Sequence, residues 1–276
     1  MKTTITPLIT ALCLTALVWL GVATSSYATA VDDAAPQTIT LIGNTSYDGW
    51  SNAGLTAGSN PGFPGFFTST TAWPSAIGSN VAGSGDATLN KTANGTGGGP
   101  YPASGSLYFA SFGDVPNTFG GSLAVTEATP LADLKTIVFQ LEIGEAWTYD
   151  LYNHTLPTLT YTYNDGTGDV TVSGVAADFS SVLVKADNGT VEMPSGTETV
   201  YINLYAMQWD LSAVNGEITN FSIGFSGVEH AQVYAMQLDQ GDTMVQVVPE
   251  PSTYAMIVAG CAMLLWRMRR REAVAV

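Results

Sequence analysis

Five acidic residues, Glu142, Glu145, Glu229, Asp239 and Asp242, are the first candidates for chemistry, because two carboxylates flanking a glycosidic bond can act as general acid and as base or nucleophile. Spacing along the chain does not set their separation in space. Residues 31–248 carry 21 acids, so chance proximity is common and a solvated acidic surface is the expected role of these groups. His154 and His230 are the only histidines, and Glu229 beside His230 adds a third residue type able to bind zinc. No H-E-x-x-H spacing accompanies them, so exposed or capping histidines are expected and no metal ligand is assigned. Asn164-Asp165-Gly166-Thr167-Gly168-Asp169 and Asp239-Gln240-Gly241-Asp242 look superficially like calcium loops. The first lacks alternating carboxylates and a closing glutamate, and turn chemistry accounts equally well for its Asn, Asp and Gly. Calcium between loops is the one cofactor the acidic field favours; otherwise none is expected. No G-x-S-x-G elbow is present, and no phosphate-binding glycine loop precedes a helix. An exposed indole could stack on a sugar, which makes Trp73 and Trp147 candidate carbohydrate contacts, although burial is the expected fate of most tryptophans.

The elements that would position these residues read as strands. Ile137, Phe139, Leu141 and Ile143 alternate with Val138, Gln140 and Glu142, the period of a half-buried strand. Leu159 to Tyr163, a turn at Asn164-Asp165-Gly166 and a return through Val170 and Val172 predict a hairpin. Val182 to Val184, a turn at Asp187-Asn188-Gly189 and Thr190 to Met193 predict a second. Thr199–Met207, Phe221–Phe225 and Ala231–Leu238 complete the pattern. Many short strands without intervening helices predict an all-β chain, a single antiparallel β-sandwich of jelly-roll type. Tyr205-Ala206-Met207-Gln208-Trp209-Asp210 returns as Tyr234-Ala235-Met236-Gln237-Leu238-Asp239, which predicts two equivalent strands of one sandwich.

Charge and composition narrow the partners. The 276 residues carry a formal net charge of −15, and only 11% are charged. Lys91, Lys135 and Lys185 are the only basic residues between positions 31 and 248. Phosphate repels such a body, so nucleic acid is excluded as a partner. The only cysteines, Cys13 and Cys261, lie in terminal apolar runs, so the body has no thiolate chemistry and no disulfide. Residues 51–106 hold 12 glycines and 5 prolines, the composition of long loops, but Phe63, Phe66, Phe67, Trp73 and Tyr101 are scattered among them. Loops draped on the sandwich and pinned by those rings are expected.

The two ends are addresses. Lys2, the apolar run Leu8–Val22 and the small residues Ala28 and Ala30 form a secretory signal peptide over residues 1–30, with cleavage expected after Ala30. At the other end, Pro249-Glu250-Pro251 precedes the apolar stretch Tyr254–Trp266, and Arg267, Arg269, Arg270 and Arg271 follow. Thirteen apolar residues rise about 20 Å as a helix, which with flanking residues and snorkelling arginines makes a short transmembrane span. The arginines stay cytoplasmic and the body, residues 31–248, lies outside. This tail, residues 249–276, resembles the PEP-CTERM sorting signal of Gram-negative bacteria. The resemblance implies an exosortase-type sorting enzyme as partner, recognition at Pro249, Glu250 and Pro251, and transient residence in the inner membrane. It also implies delivery to the cell surface or to an exopolysaccharide matrix. The expected function is therefore that of an exported, non-enzymatic structural or adhesive surface protein. A carbohydrate-binding module is the alternative, and a glycoside-active enzyme the third reading.

Overall fold

A computed structural model describes residues 29–60, 73–193 and 196–249. After a short helix, α1 (Ala30–Asp33), come β1 (Thr45–Trp50), β2 (Ile77–Gly78), β3 (Thr88–Asn94), β4 (Tyr101–Pro102), β5 (Leu107–Tyr108), β6 (Phe119–Glu127) and β7 (Thr136–Gly144). The remaining strands are β8 (Thr158–Asn164), β9 (Asp169–Val175), β10 (Phe179–Met193), β11 (Gly196–Asp210), β12 (Glu217–Val228) and β13 (Gln232–Gly241). They form two antiparallel sheets. One has the order β10-β11-β7-β13-β5-β4, with β1 also paired to β13; the other has the order β2-β3-β6-β12-β8-β9. The chain is a β-sandwich, as its alternation predicts.

The core lies between the sheets. Ile137, Phe139, Leu141 and Ile143 of β7, Met207 and Trp209 of β11, and Met236 and Leu238 of β13 meet Leu123, Val125, Phe221, Ile223 and Phe225 of β6 and β12. Phe139 and Phe225 touch across the gap with ring centroids 6.2 Å apart. Full burial of side chains of this size is worth about 1.5–3 kcal/mol each, which is how the domain dispenses with disulfides.

Three sequence expectations change. First, β7 is buried at every position and not on one face only. Its second face, Val138, Gln140 and Glu142, is roofed by the chain's own terminal segments. Second, Asp187-Asn188-Gly189 is not a hairpin turn. β10 runs through it, and pairing with β11 shifts register between Asp187 and Thr190 before continuing to Met193 opposite Gly196. Asp187 Oδ1 accepts from the Gly189 amide at 2.8 Å, and Gly189 takes φ +86°, so the Asp-x-Gly chemistry makes a bulge inside a long strand. The Asn164-Asp165-Gly166 turn does join β8 to β9. Third, residues 51–106 are not loops alone. Within them β3 pairs with β6 through Asn94 opposite Gly121, carrying only Leu89 as a large apolar residue into the core.

The repeated Tyr-Ala-Met-Gln-x-Asp segments become equivalent strands flanking β7. Met207 lies opposite Phe139 from one side, and Met236 opposite Leu141 from the other. The expectations placed on residues 1–28, including Ala28, and on Glu250, Pro251, the apolar run 254–266 and Arg267, Arg269, Arg270 and Arg271 lie outside the described residues. Among the described residues no helix is long and apolar enough to cross a membrane.

Candidate functional site

The sheet face turned away from the core carries the most unusual polar chemistry. Alternation sends Gln140 and Glu142 of β7, Gln208 of β11, and Gln237 and Asp239 of β13 to this face, and every one is buried. A buried amide must find partners or cost on the order of 1–3 kcal/mol. Here the partners are backbone groups of the chain ends. Gln140 accepts from the Gln37 amide at 2.9 Å and donates to the Gln37 carbonyl at 2.7 Å. Gln208 donates to the Val245 carbonyl at 2.7 Å and accepts from the Val247 and Val248 amides at 2.9 and 3.2 Å. Val248 is 1% exposed and packs with Val138 and Ala206. Two glutamines thus grip both ends of the body as neighbouring strands would.

Beside the Gln140 clamp opens a cleft of about 600 Å³, lined among others by Val31, Asp32, Trp50, Glu142, Met236 and Gln237. Glu142 is 1% exposed, and its Oε1 has no hydrogen-bond partner among the described residues. Burial, and then the charge of Asp32, push this carboxyl up to about 8. Farther along the face, Asp239 accepts from Gln237 Nε2 at 2.8 Å. Burial is the main force pushing Asp239 up to about 6; the Gln237 bond opposes it and the charge of Asp48 adds to it.

The expectation of solvated surface acids therefore fails at four of the five carboxylates singled out from sequence and holds at Asp242. Glu142, Glu229 and Asp239 are 1%, 2% and 7% exposed, and the Glu145 side chain 4%. Alternation on a face covered by residues on either side of the sandwich put Glu142 and Asp239 there, whereas Glu145 and Glu229 lie just past the ends of β7 and β12. Glu145 takes Lys185 Nζ at 2.7 Å and Asn203 Nδ2 at 2.9 Å. Asn203 also donates to Asp150, which accepts from the Tyr205 hydroxyl at 2.8 Å and the Leu151 amide at 2.6 Å. Sequence gave no signal for Asp150, because nothing local marks the acid that a distant Asn and Tyr will hold.

The remaining candidates stay apart. His154 is exposed and stacks on Tyr149, whereas His230 is half-buried between Tyr108, the Gly113 carbonyl and Trp147. Trp147 is 8% exposed, so its ring offers little face to a sugar. It sits at a strained corner where Trp147 and Thr148 adopt φ +52° and +67°, a conformation costly for a β-branched residue. Trp73 is half-buried, with Nε1 donating to the Pro100 carbonyl at 2.9 Å. Asp165 accepts from Thr167 and Gly168 within its own turn. Asp242 is bound to Asn44 Nδ2 at 2.6 Å. Among the described residues no group of three or more His, Cys, Asp or Glu could hold a metal ion. No family model, no curated protein and no solved structure matches this chain.

Asp239 gives a pH test. Its folded-state pKa lies above the unfolded value, so the folded state binds the proton more tightly. The stability this contributes is present below about pH 4 and is lost as pH rises through about 6. Asp239→Asn is expected to stabilise the protein by about 2 kcal/mol at pH 7 and to change little at pH 4, read from urea unfolding at both pH values.

Proposed function

We propose that the chain is an exported surface or exopolysaccharide-matrix protein with a non-enzymatic structural or adhesive sandwich. In this reading the leader delivers it and the tail Pro249-Glu250-Pro251, apolar stretch and Arg267–Arg271 sorts it. One observation carries the proposal: the packed contacts of the body run up to the residue that precedes the sorting motif. Val248 is buried and held by Gln208, and Pro249 follows at once. A processing enzyme acting at the motif would release a body that keeps the Gln208 bonds and the packing of Val248 on Val138 and Ala206. The strand orders favour a jelly roll as its finer class, since β1-β13-β7-β11 in one sheet and β6-β12-β8-β9 in the other follow the alternation of two Greek keys. The −15 charge suits a partner other than nucleic acid.

The sorting enzyme is of the exosortase type, the membrane contact is transient, and polysaccharide is the surrounding medium. Deleting Pro249–Pro251 is expected to hold the protein in the inner-membrane fraction and to reduce its surface and medium pools to background, read by fractionation and immunoblotting. Unchanged surface delivery of that deletion would overturn the proposal.

A further inference from the structure

The turn that carries the expected cleavage position is held together by the residues that cleavage removes. In α1 the Asp33 amide donates to the Thr29 carbonyl at 3.0 Å and the Ala34 amide to the Ala30 carbonyl at 3.1 Å. Asp32 Oδ2 accepts from the Thr29 amide at 3.1 Å and the Thr29 hydroxyl at 2.8 Å, and the Asp32 amide donates back to Thr29 Oγ1 at 3.3 Å. Cutting after Ala30 deletes every one of these partners. Ala34 stays fixed, being wholly buried against Ala186, Ile202 and Leu204, and Gln37 stays clamped by Gln140. Residues 31–33 become a short arm on a fixed root, with a reach of about 10 Å. At its tip is a new α-ammonium group. Val31 and Glu142 line the same cleft, and Glu142 brings to it a buried oxygen without a partner.

We infer that the Glu142 carboxylate is the receptor for the α-ammonium group of Val31 in the processed protein, so that removal of the leader fills the Glu142 cleft with the new N-terminus. The inference rests on the leader reading above. A primary ammonium fits because it brings three donors and a positive charge to an acceptor that has neither. The other groups facing Glu142 reinforce this. Asp32 from α1 is a second acid, Tyr234 of β13 is a neutral phenol raised by burial and by Glu142 itself, and Tyr47 of β1 lines the cleft as another phenol. No lysine or arginine lines it. Before cleavage Glu142 meets the cost of burial by holding a proton; after it, the carboxylate has a cationic partner, and a buried ion pair broken from one side is costly.

The test uses the protein secreted by its host and the leader-bearing precursor. N-terminal sequencing comes first: a secreted chain that starts elsewhere than Val31 overturns the cleavage position and the inference together. With Val31 first, the rate at which an amine-reactive ester labels the α-amino group at pH 8 is compared with that of a peptide beginning Val-Asp-Asp-Ala. Labelling of the protein is expected to be at least about fivefold slower, the effect of one pKa unit of protection at this pH, and Glu142→Gln is expected to restore the peptide's rate. Free labelling of the wild-type amine overturns the inference alone. Melting temperature supplies a second readout whose sign is diagnostic. Glu142→Gln is expected to raise it in the precursor and lower it in the secreted form at pH 7, and a shift of the same sign in both overturns the inference.

Discussion

Trp209→Ala is expected to cost about 4 kcal/mol, within the 3–5 kcal/mol range for losing a fully buried large aromatic, and to lower the melting temperature by about 8–16 °C. Trp209 has no exposed surface and is among the largest buried side chains of the core. Its ring does two jobs. On β11 it fills space between the sheets opposite Ile137 of β7. Its Nε1 also donates at 3.0 Å to the carbonyl of Val175, at the end of β9 in the opposite sheet. Alanine removes both, leaving a cavity and a carbonyl without its donor. Phenylalanine isolates the second, so Trp209→Phe is expected to cost about 1–2 kcal/mol. Thermal melts of the two variants check the difference. Equal losses would mean that the hydrogen bond and not the volume dominates. The repeat adds a control: Leu238 occupies the position of Trp209 in the second copy and is equally buried, yet it makes no cross-sheet bond. Leu238→Ala should therefore report volume alone.

That repeat also illustrates how much of the fold can be read from sequence. Met207 and Met236 point inward from strands on either side of β7, and Gln208 and Gln237 point outward, so the two copies carry one alternation in one sheet. Period two along β7 likewise separates Phe139 and Leu141 from Gln140 and Glu142. Alternation names a strand's faces but says nothing about what covers the second face. A polar residue at every other position normally meets water, and here Gln140 meets Gln37, 103 positions away, and Gln208 meets Val245, 37 positions away. The burial of Glu142 and Asp239 followed from that cover and was not visible locally. For the same reason Asp187-Asn188-Gly189 reads as a turn. Its local chemistry is that of a turn, and only the long partner strand β11 converts it into a bulge. β3 escaped notice because Gly-rich flanks and a single buried leucine leave almost no alternation to see.

Gln208→Leu is expected to destabilise the body by about 3 kcal/mol and to loosen its C-terminal segment before the rest unfolds. Leucine keeps the volume, so the loss measures hydrogen bonding. Gln208 donates to the Val245 carbonyl and to Thr136 Oγ1, at 2.7 and 3.0 Å, and accepts from two amides, Val247 and Val248. Without it three backbone groups of residues 245–248 face an apolar sheet with no partner. Water can satisfy them only if the segment lifts away. Gln140→Leu at the other end strands only the amide and carbonyl of Gln37, and that carbonyl keeps a weaker donor in Gln237 at 3.3 Å, so its cost is expected to be smaller. Hydrogen exchange distinguishes local from global opening. In Gln208→Leu the Val247 and Val248 amides should exchange far faster while those of β7 hold their protection. If both speed up together, the clamp is part of the global fold instead of a latch. Under the sorting reading proposed above the distinction matters, because a firm latch would fix Pro249 at the foot of the domain. A loosened one would hand a sorting enzyme a longer stem and open Val245–Val248 to proteolysis, which limited digestion of Gln208→Leu would read as faster cutting at this segment.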